Sequence, residues 1–211
     1  MKRPPGISIN RLALYLRLLD DYGKGRDTKS TISSEEFARS LNINPNQIRK
    51  DLSYFGKFGR QGIGYHTGEL KEQISKILGL RKKWNLCLCG AGNLGSALSS
   101  YRGFREMNLN IVAIFDSDPA KINKKIQGVR IYSSREIKTV VKKLGIDIAV
   151  LAVPADTAQE VSDILVDSGI RAILNFAPVK IGVPNSVKLR NVDLSTELIN
   201  LTYFLSCAIK P

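Results

Sequence analysis

Apolar positions recur at helical spacing near the start of the chain. Leu12, Tyr15, Leu16 and Leu19 stand at i, i+3, i+4 and i+7, which predicts a helix over 8–22. A polar stretch rich in Gly, Lys, Asp and Ser (23–32) ends it. Ser33 and Glu36 have the spacing of a capping box and open a short helix whose buried residues are Phe37, Ala38 and Leu41. Asn42-Ile43-Asn44 reads as a turn, and Asn44 followed by Pro45 supplies an N-cap and a first-turn proline for a third helix over about 45–56. On that helix Ile48, Leu52 and Phe55 share one side. Asn46, Lys50, Ser53, Tyr54 and Lys57 share the other, with Gln47, Arg49 and Asp51 on the flanks. Short helix, tight turn and second helix make a helix-turn-helix, whose outward amide, ammonium and hydroxyl groups suit base edges and phosphates.

The stretch Gly56 to Tyr65 carries glycines at 56, 59, 62 and 64 between aromatics, and reads as a β-hairpin wing with Arg60 at its tip. An Arg there suits a narrow A·T-rich minor groove; the alternative is an ordinary surface hairpin. A helix over 69–79, with Leu70, Ile74, Ile77 and Leu78 inward, and the basic run Arg81-Lys82-Lys83 close this part.

After about residue 80 the pattern becomes alternating α/β. Trp84 to Cys89 reads as a buried strand on which Cys87 and Cys89 share a face, as buried small hydrophobes or, alternatively, a thiol switch. Gly90-Ala91-Gly92-Asn93-Leu94-Gly95 then opens a helix running through about 103. This is G-x-G-x-x-G in a strand-turn-helix setting: Gly90 permits the tight turn, Gly92 lets a pyrophosphate approach the backbone, and Gly95 allows close helix packing. A second strand, Ile111 to Phe115, ends at Asp116, 26 residues after Gly90, where an acid meets adenosine ribose hydroxyls; Asp118 is the alternative. A carboxylate there repels a 2′-phosphate, favouring NAD over NADP. A turn or cap role for Asp116, and a Rossmann-like domain that binds CoA or nothing, stay open. Helices over 134–144 and 155–168 alternate with strands over 147–153 and 171–176. Val153-Pro154 and Phe176-Ala177-Pro178 lie at strand ends, where they give a nicotinamide apolar walls. A last helix over 194–209 carries Leu194, Leu198, Leu201, Leu205 and Ala208 on one stripe and Ile199, Tyr203 and Phe204 outside it. So wide an apolar surface predicts packing against a second subunit as well as its own; the alternative is a terminal helix buried only in its own domain.

Charge sharpens this division. The 211 residues carry a net +13, and residues 1–83 hold 17 basic against 8 acidic residues, a net +9, which suggests an N-terminal part that meets a polyanion; the alternative is a solubilising basic surface. With 43% hydrophobic residues the chain is globular, and its longest apolar run, Ile148 to Ala155, falls far short of the ~20 residues of a membrane span. No apolar stretch follows Met1 to Pro5, so a cytoplasmic protein is expected. Three cysteines without a CxxC pair and the single His66 leave little for a metal site. No Tyr precedes a Lys by four residues, and His66 lies in the other part, so the dinucleotide is expected to be sensed rather than turned over. The rival reading is a small NAD-linked oxidoreductase with a basic N-terminal module.

Four motifs, in the same order, then carry a resemblance: Gln47-Ile48-Arg49-Lys50-Asp51-Leu52-Ser53-Tyr54-Phe55-Gly56, Gly62-Ile63-Gly64-Tyr65, Gly90 to Gly95, and Leu174-Asn175-Phe176-Ala177-Pro178. Over essentially its whole length the chain resembles the Rex family of redox-sensing transcriptional repressors. The resemblance implies a homodimer with a winged helix-turn-helix domain (1–80), a Rossmann-type parallel-sheet domain (81–191) and a swapped C-terminal dimerisation helix (192–211). It implies double-stranded operator DNA with an inverted repeat as partner and NADH and NAD⁺ as ligands, with NADH closing the dimer and releasing the DNA. It also implies a network of Arg17, Tyr101 and Asp193 linking the nicotinamide to the DNA-binding domains. The DNA-facing set is then Ser33, Asn46, Gln47, Arg49, Lys50, Ser53, Tyr54, Lys57 and Arg60. The dinucleotide set is Gly90 to Gly95, Tyr101, Asp116, Val153, Pro154, Phe176 and Pro178; no membrane and no metal are involved. The chain departs from the family in its Cys87/Cys89 strand and in the charged loop at 23–32.

Overall fold

The computed structural model describes residues 4–24, 30–60 and 62–208, which divide into two compact units meeting at Lys82/Lys83. In the first, helices α1 (Gly6–Lys24), α2 (Ser34–Leu41), α3 (Pro45–Ser53) and α4 (Thr67–Ile77) accompany a small antiparallel sheet. Its strands are β1 (Thr31–Ile32), β2 (Gly59–Arg60) and β3 (Gly64–His66), in the order β1-β3-β2. The expected apolar stripes form one core of Leu12, Tyr15, Leu19, Phe37, Ile48, Leu52, Leu70 and Ile74, with the Tyr15 and Phe37 rings 5.2 Å apart. Both caps read from the sequence are present. The Ser33 hydroxyl accepts from the Glu36 N–H while the Glu36 carboxylate accepts from the Ser33 N–H, and Asn44 accepts from the Asn46 N–H.

Two local features differ from the sequence reading. α3 stops at Ser53 rather than 56, because Gly56, at φ +145°, leaves the helical region. β1 falls inside the stretch read as a loop over 23–32, since two residues are too few to show a period; the part of that loop at 25–29 lies outside the described residues. β1 meets β3 at Gly64, where a Cβ would stand 2.5 Å from the Ile32 carbonyl oxygen, so the sheet closes only over a glycine.

The second unit runs β4 (Trp84–Cys89), α5 (Asn93–Ser99), α6 (Arg102–Glu106), β5 (Leu109–Asp116), β6 (Lys125–Ile126) and β7 (Val129–Ser133). It continues through α7 (Ile137–Leu144), β8 (Ile148–Leu151), α8 (Ala158–Asp167), β9 (Ala172–Asn175), β10 (Lys188–Asn191) and α9 (Leu194–Ala208). The sheet order is β10-β9-β8-β4-β5-β7-β6, parallel except at β6. Reading from β7 this is the doubly wound order 3-2-1-4-5-6, whose switch point lies between β4 and β8. One face of the sheet buries Cys87, Cys89, Ala113, Phe115, Ala149 and Leu151; the other buries Leu86, Leu88, Ile114 and Val150. Cys87 and Cys89 do share a face and are wholly enclosed. The hydrogen bond with Cys87, and then burial, push the Cys89 thiol well above its usual value, which makes it a poor thiolate.

The helix read as continuous to 103 is broken in two. The Ser99 and Ser100 hydroxyls both donate to the Ser96 carbonyl, at 2.8 and 3.0 Å, competing with the backbone ladder, and α6 restarts after Tyr101. The sequence reading also missed β6 and β7, which are joined at Gln127-Gly128 by a turn with both φ positive, and β10, whose mixed polar pattern hides an edge strand. Among the described residues, no helix is long and apolar enough to cross a membrane. α9 leaves Leu198, Ile199, Leu201, Tyr203, Phe204 and Leu205 about two-thirds exposed, so the wide apolar surface read from its sequence is uncovered.

Candidate functional site

In the first unit α3 presents Asn46, Lys50 and Ser53 outward as the helical wheel requires, while Lys57 and Arg60 lie beyond its end. Asn46, Arg49, Lys50, Ser53, Lys57 and Arg60 are exposed, and Tyr54 is half-buried at the helix C-cap. Arg49 is held by Glu35 at 3.1 Å and by the Asn46 side chain at 2.8 Å, so this part of the surface is ordered by α2. Arg60 ends β2 where the chain turns, its carbonyl accepting from the Ile63 N–H at 3.1 Å. Ser33 spends its backbone N–H and its hydroxyl oxygen on the α2 cap.

Asp51 is where the sequence reading fell short. Placed on the flank of the wheel, it is in fact completely buried. Its carboxylate accepts from Ser8 Oγ at 2.8 Å, Arg11 Nη2 at 2.7 Å, Tyr15 Oη at 2.7 Å and Gln47 Nε2 at 2.9 Å, and Arg11 Nε adds a further bond. Gln47, a flank residue counted in the DNA-facing set, therefore turns its amide donor inward. The pairing of Arg11 and Tyr15 at i, i+4 on α1 was the available signal, but it needs the α1–α3 packing to become visible.

In the second unit the three motif glycines do different physical work. Gly90 has φ +100°, and a Cβ on it would stand 2.3 Å from the Ala152 carbonyl oxygen. A Cβ on Gly95 would stand 1.9 Å from the Gly90 carbonyl oxygen, so α5 can lie against the turn only without a side chain there. At Gly92, exposed just before α5, a Cβ would meet nothing within 4 Å. The first and third glycines thus fold the turn, and the second keeps its outer side open.

Asp116, at the end of β5, faces this turn. Its carboxylate accepts from the Ala91 N–H at 2.7 Å, the Asp118 N–H at 2.9 Å and Lys121 Nζ at 3.2 Å. Burial pushes its pKa up, but the two backbone donors and the Lys121 ammonium outweigh that and hold it below the usual carboxylate value. Asp118 turns one oxygen onto the Ala120 N–H at 2.9 Å, closing an Asx turn. Of the turn and cap roles open for Asp116, the turn role is the one the structure has, and Lys121, which the sequence reading did not single out, lies beside both acids.

A cleft of about 900 Å³ opens over the C-terminal ends of β4 and β8. It brings together Gly90, Gly92, Asn93, Leu94, Asp116, Val153, Pro154, Phe176 and Pro178 from the expected dinucleotide set, with Asp118 and Lys121 also on its wall. Ala91 and Gly95 are buried behind the turn. Tyr101 is not part of that wall: half exposed, it packs edge-on against Phe104 with ring centroids 5.0 Å apart. Asp193 caps α9, accepting from the Ser195 N–H at 2.9 Å and the Thr196 hydroxyl at 2.9 Å, and Arg17 is exposed on α1. Among the described residues, no group of three or more His, Cys, Asp or Glu side chains could hold a metal ion.

Two family models match the chain: "CoA binding domain" over residues 81–179 and "Putative DNA-binding protein N-terminus" over residues 5–53. Among curated relatives, the redox-sensing transcriptional repressor Rex of Desulforamulus reducens is 44% identical over 202 residues, covering 96% of this chain and 95% of its own. That of Pelotomaculum thermopropionicum is 46% identical over 201 residues, covering 95% and 93%. Among solved structures, the Rex-family repressor RSP "in complex with beta-NAD+ and operator DNA" matches with a TM-score of 0.91 at 38% identity, over 97% of this chain and 94% of that one. RSP "in complex with beta-NADH" matches with a TM-score of 0.88 at 36% identity, over 97% and 95%. A winged DNA-binding unit joined to a doubly wound unit, at this identity over nearly the full length of both chains, places the chain in the Rex family of redox-sensing transcriptional repressors.

Proposed function

We propose that the protein is a cytoplasmic homodimeric repressor that binds an inverted-repeat operator and releases it when NADH occupies the cleft of the second unit. The observation that carries this reading is the cleft itself. It lies at the switch point of a doubly wound sheet, with an open Gly92 at one part of its wall, an ionised Asp116 at another, and Val153, Pro154, Phe176 and Pro178 supplying apolar surface. These residues fit a dinucleotide. The backbone around Gly92 admits a pyrophosphate, Asp116 or Asp118 meets the adenosine ribose, and the apolar wall receives the nicotinamide. Asp116 disfavours a 2′-phosphate, although Lys121 beside it softens that repulsion. The RSP structures, one in complex with NAD⁺ and operator DNA and another with NADH, support the same ligands here.

NADH and NAD⁺ differ at the nicotinamide ring by one positive charge. An apolar wall of Val153, Pro154, Phe176 and Pro178 disfavours the cation, since burying a charge in apolar surroundings is costly, although Asp156 and Glu160 also line the cleft. Closure around the neutral ring then alters the spacing of two recognition helices that must meet half-sites on one DNA face. Ser33, Asn46, Gln47, Arg49, Lys50, Ser53, Tyr54, Lys57 and Arg60 form the DNA-facing set, and Arg17, Tyr101 and Asp193 the link between nicotinamide and DNA-binding units. Domain limits of 1–80, 81–191 and 192–211 follow, the last being the swapped helix. The uncovered apolar residues of α9 support a second subunit as its partner.

Fluorescence anisotropy of an inverted-repeat duplex, titrated with protein at fixed salt, tests this directly. Saturating NADH is expected to weaken operator binding by at least an order of magnitude while NAD⁺ leaves it intact. Operator affinity that NADH does not change, or that CoA changes instead, overturns the reading.

A further inference from the structure

Asn175, the last residue of β9, is completely buried, and its amide is spent on both sides. Its Oδ1 accepts from the Ala177 N–H at 2.9 Å, and its Nδ2 donates to the Val179 carbonyl at 2.9 Å and to Asn191 Oδ1 at 2.9 Å. Its backbone carbonyl accepts from the Val192 N–H at 2.8 Å. The first two bonds hold the turn that places Phe176 and Pro178 on the cleft wall. The last two hold the end of β10, one and two residues before Asp193, whose carboxylate caps α9 through the Ser195 and Thr196 N–H groups.

One buried amide therefore joins the proposed nicotinamide wall to the root of the terminal helix. A buried amide left without a partner costs about 1–3 kcal/mol, so a shift of the wall favours a matching shift at 191–192 over breaking the set. Asn191 is exposed and lies outside the cleft wall, so the link can be cut without touching the pocket.

We propose that Asn175 and Asn191 form a relay in which the state of the Phe176–Pro178 wall is passed to the start of α9, with Asn191 as a positioning residue for the ligand response rather than for ligand binding. This rests on the dinucleotide reading above. The relay is a two-ended contact that occupancy of the cleft biases, which is what coupling between sites requires.

The test uses the full-length protein and two variants. Asn191→Leu removes the acceptor, and Asn191→Asp keeps it. NADH affinity is read by nucleotide fluorescence. Coupling is read as the ratio of operator Kd with saturating NADH to that without. Asn191→Leu is expected to bind NADH and operator separately within about threefold of the parent while its coupling ratio falls at least tenfold, and Asn191→Asp is expected to restore the ratio. A purely structural role would move the two affinities and not the ratio. An Asn191→Leu ratio equal to the parent's overturns the relay and leaves the functional reading standing, as does a tenfold loss of NADH affinity with the ratio unchanged. A parent protein with no NADH response overturns both.

Discussion

The Tyr15 hydroxyl donates to Asp51 Oδ2 at 2.7 Å, joining the buried face of the first helix to the flank of the third. With Ser8, Arg11 and Gln47 on the same carboxylate, α1 and α3 are held by an ion pair with several neutral donors around it, sealed from water on the Asp51 side. Such a constellation adds little net stability over a well-packed apolar equivalent, but it is intolerant of losing one member. Its use here is geometric: the helix that carries Lys50 and Ser53 can adopt only one roll against α1.

Removing the hub is therefore expected to be severe. Asp51→Ala leaves the Arg11 guanidinium and the Tyr15 hydroxyl without their acceptor and should destabilise the N-terminal unit by about 3–5 kcal/mol. Urea unfolding followed by tyrosine fluorescence measures this; a loss under about 1 kcal/mol would contradict the account.

The same hub sets a pH dependence. Burial raises the Asp51 pKa, but the bonds from Arg11, Tyr15, Ser8 and Gln47 outweigh it and leave the folded value depressed. Its contribution to stability is therefore fully present above the unfolded carboxylate value of ~3.9 and disappears as pH falls through the lower folded value. Tyr15 is shifted the other way, upward, by burial and then by Asp51. Its contribution is present below the unfolded value of ~10 and is lost as pH rises through the folded one. Melting temperature should thus be nearly flat in pH between these limits as far as this hub is concerned, and Asp51→Asn should flatten the acid limb. An acid limb identical in the variant would count against the assignment.

The glycines of the turn offer a paired contrast. Gly95→Ala puts a methyl within 1.9 Å of a backbone oxygen and should unfold the turn, seen as a fall in melting temperature. Gly92→Ala meets no atom of the protein within 4 Å, at an ordinary φ of −77°, so stability should be unchanged. Its NADH affinity should nonetheless drop about tenfold, about 1.4 kcal/mol, because the methyl occupies the phosphate approach. Equal NADH affinity in Gly92→Ala would move the pyrophosphate elsewhere.

At the adenosine end, Asp116→Ala removes the acceptor of the Ala91 and Asp118 N–H groups and leaves Lys121 without its nearest anion. NADH affinity should fall at least tenfold and the preference for NADH over NADPH should shrink or invert. Asp116 is held below the usual carboxylate value, so its own charge should not change between about pH 6 and 8, and any change of preference there belongs to the 2′-phosphate, whose second pKa is about 6. Calorimetric titrations with both nucleotides give the comparison. Unaltered nucleotide preference would reassign the ribose contact to Asp118.

On the DNA side, Lys50→Ala is expected to relax sequence discrimination if the ammonium reaches a base edge, by about 1–3 kcal/mol between operator and single-base variants. Arg60→Ala should weaken binding chiefly to duplexes with A·T-rich flanks. Competition assays over a panel of duplexes separate the two; uniform weakening by Lys50→Ala would make it a phosphate contact.

What the amino-acid sequence determined by itself is whatever depends on neighbours within a turn or two of chain. The Ser33/Glu36 and Asn44/Pro45 caps, the stripes of α1 and α3, the strand into Gly90 and the strand into Asp116 are all local patterns, and the fold keeps each of them. The glycine spacing was legible because Gly90 and Gly95 are required by backbone contacts that any such turn must make. Tertiary structure decided the rest. Asp51 reads as a flank residue until α1 brings Arg11 and Tyr15 to it, and Asn175 reads as a strand end until β10 brings Asn191 beside it. Both are polar groups that water would satisfy in isolated segments. Only packing removes that water and makes specific partners 16 to 43 residues away obligatory.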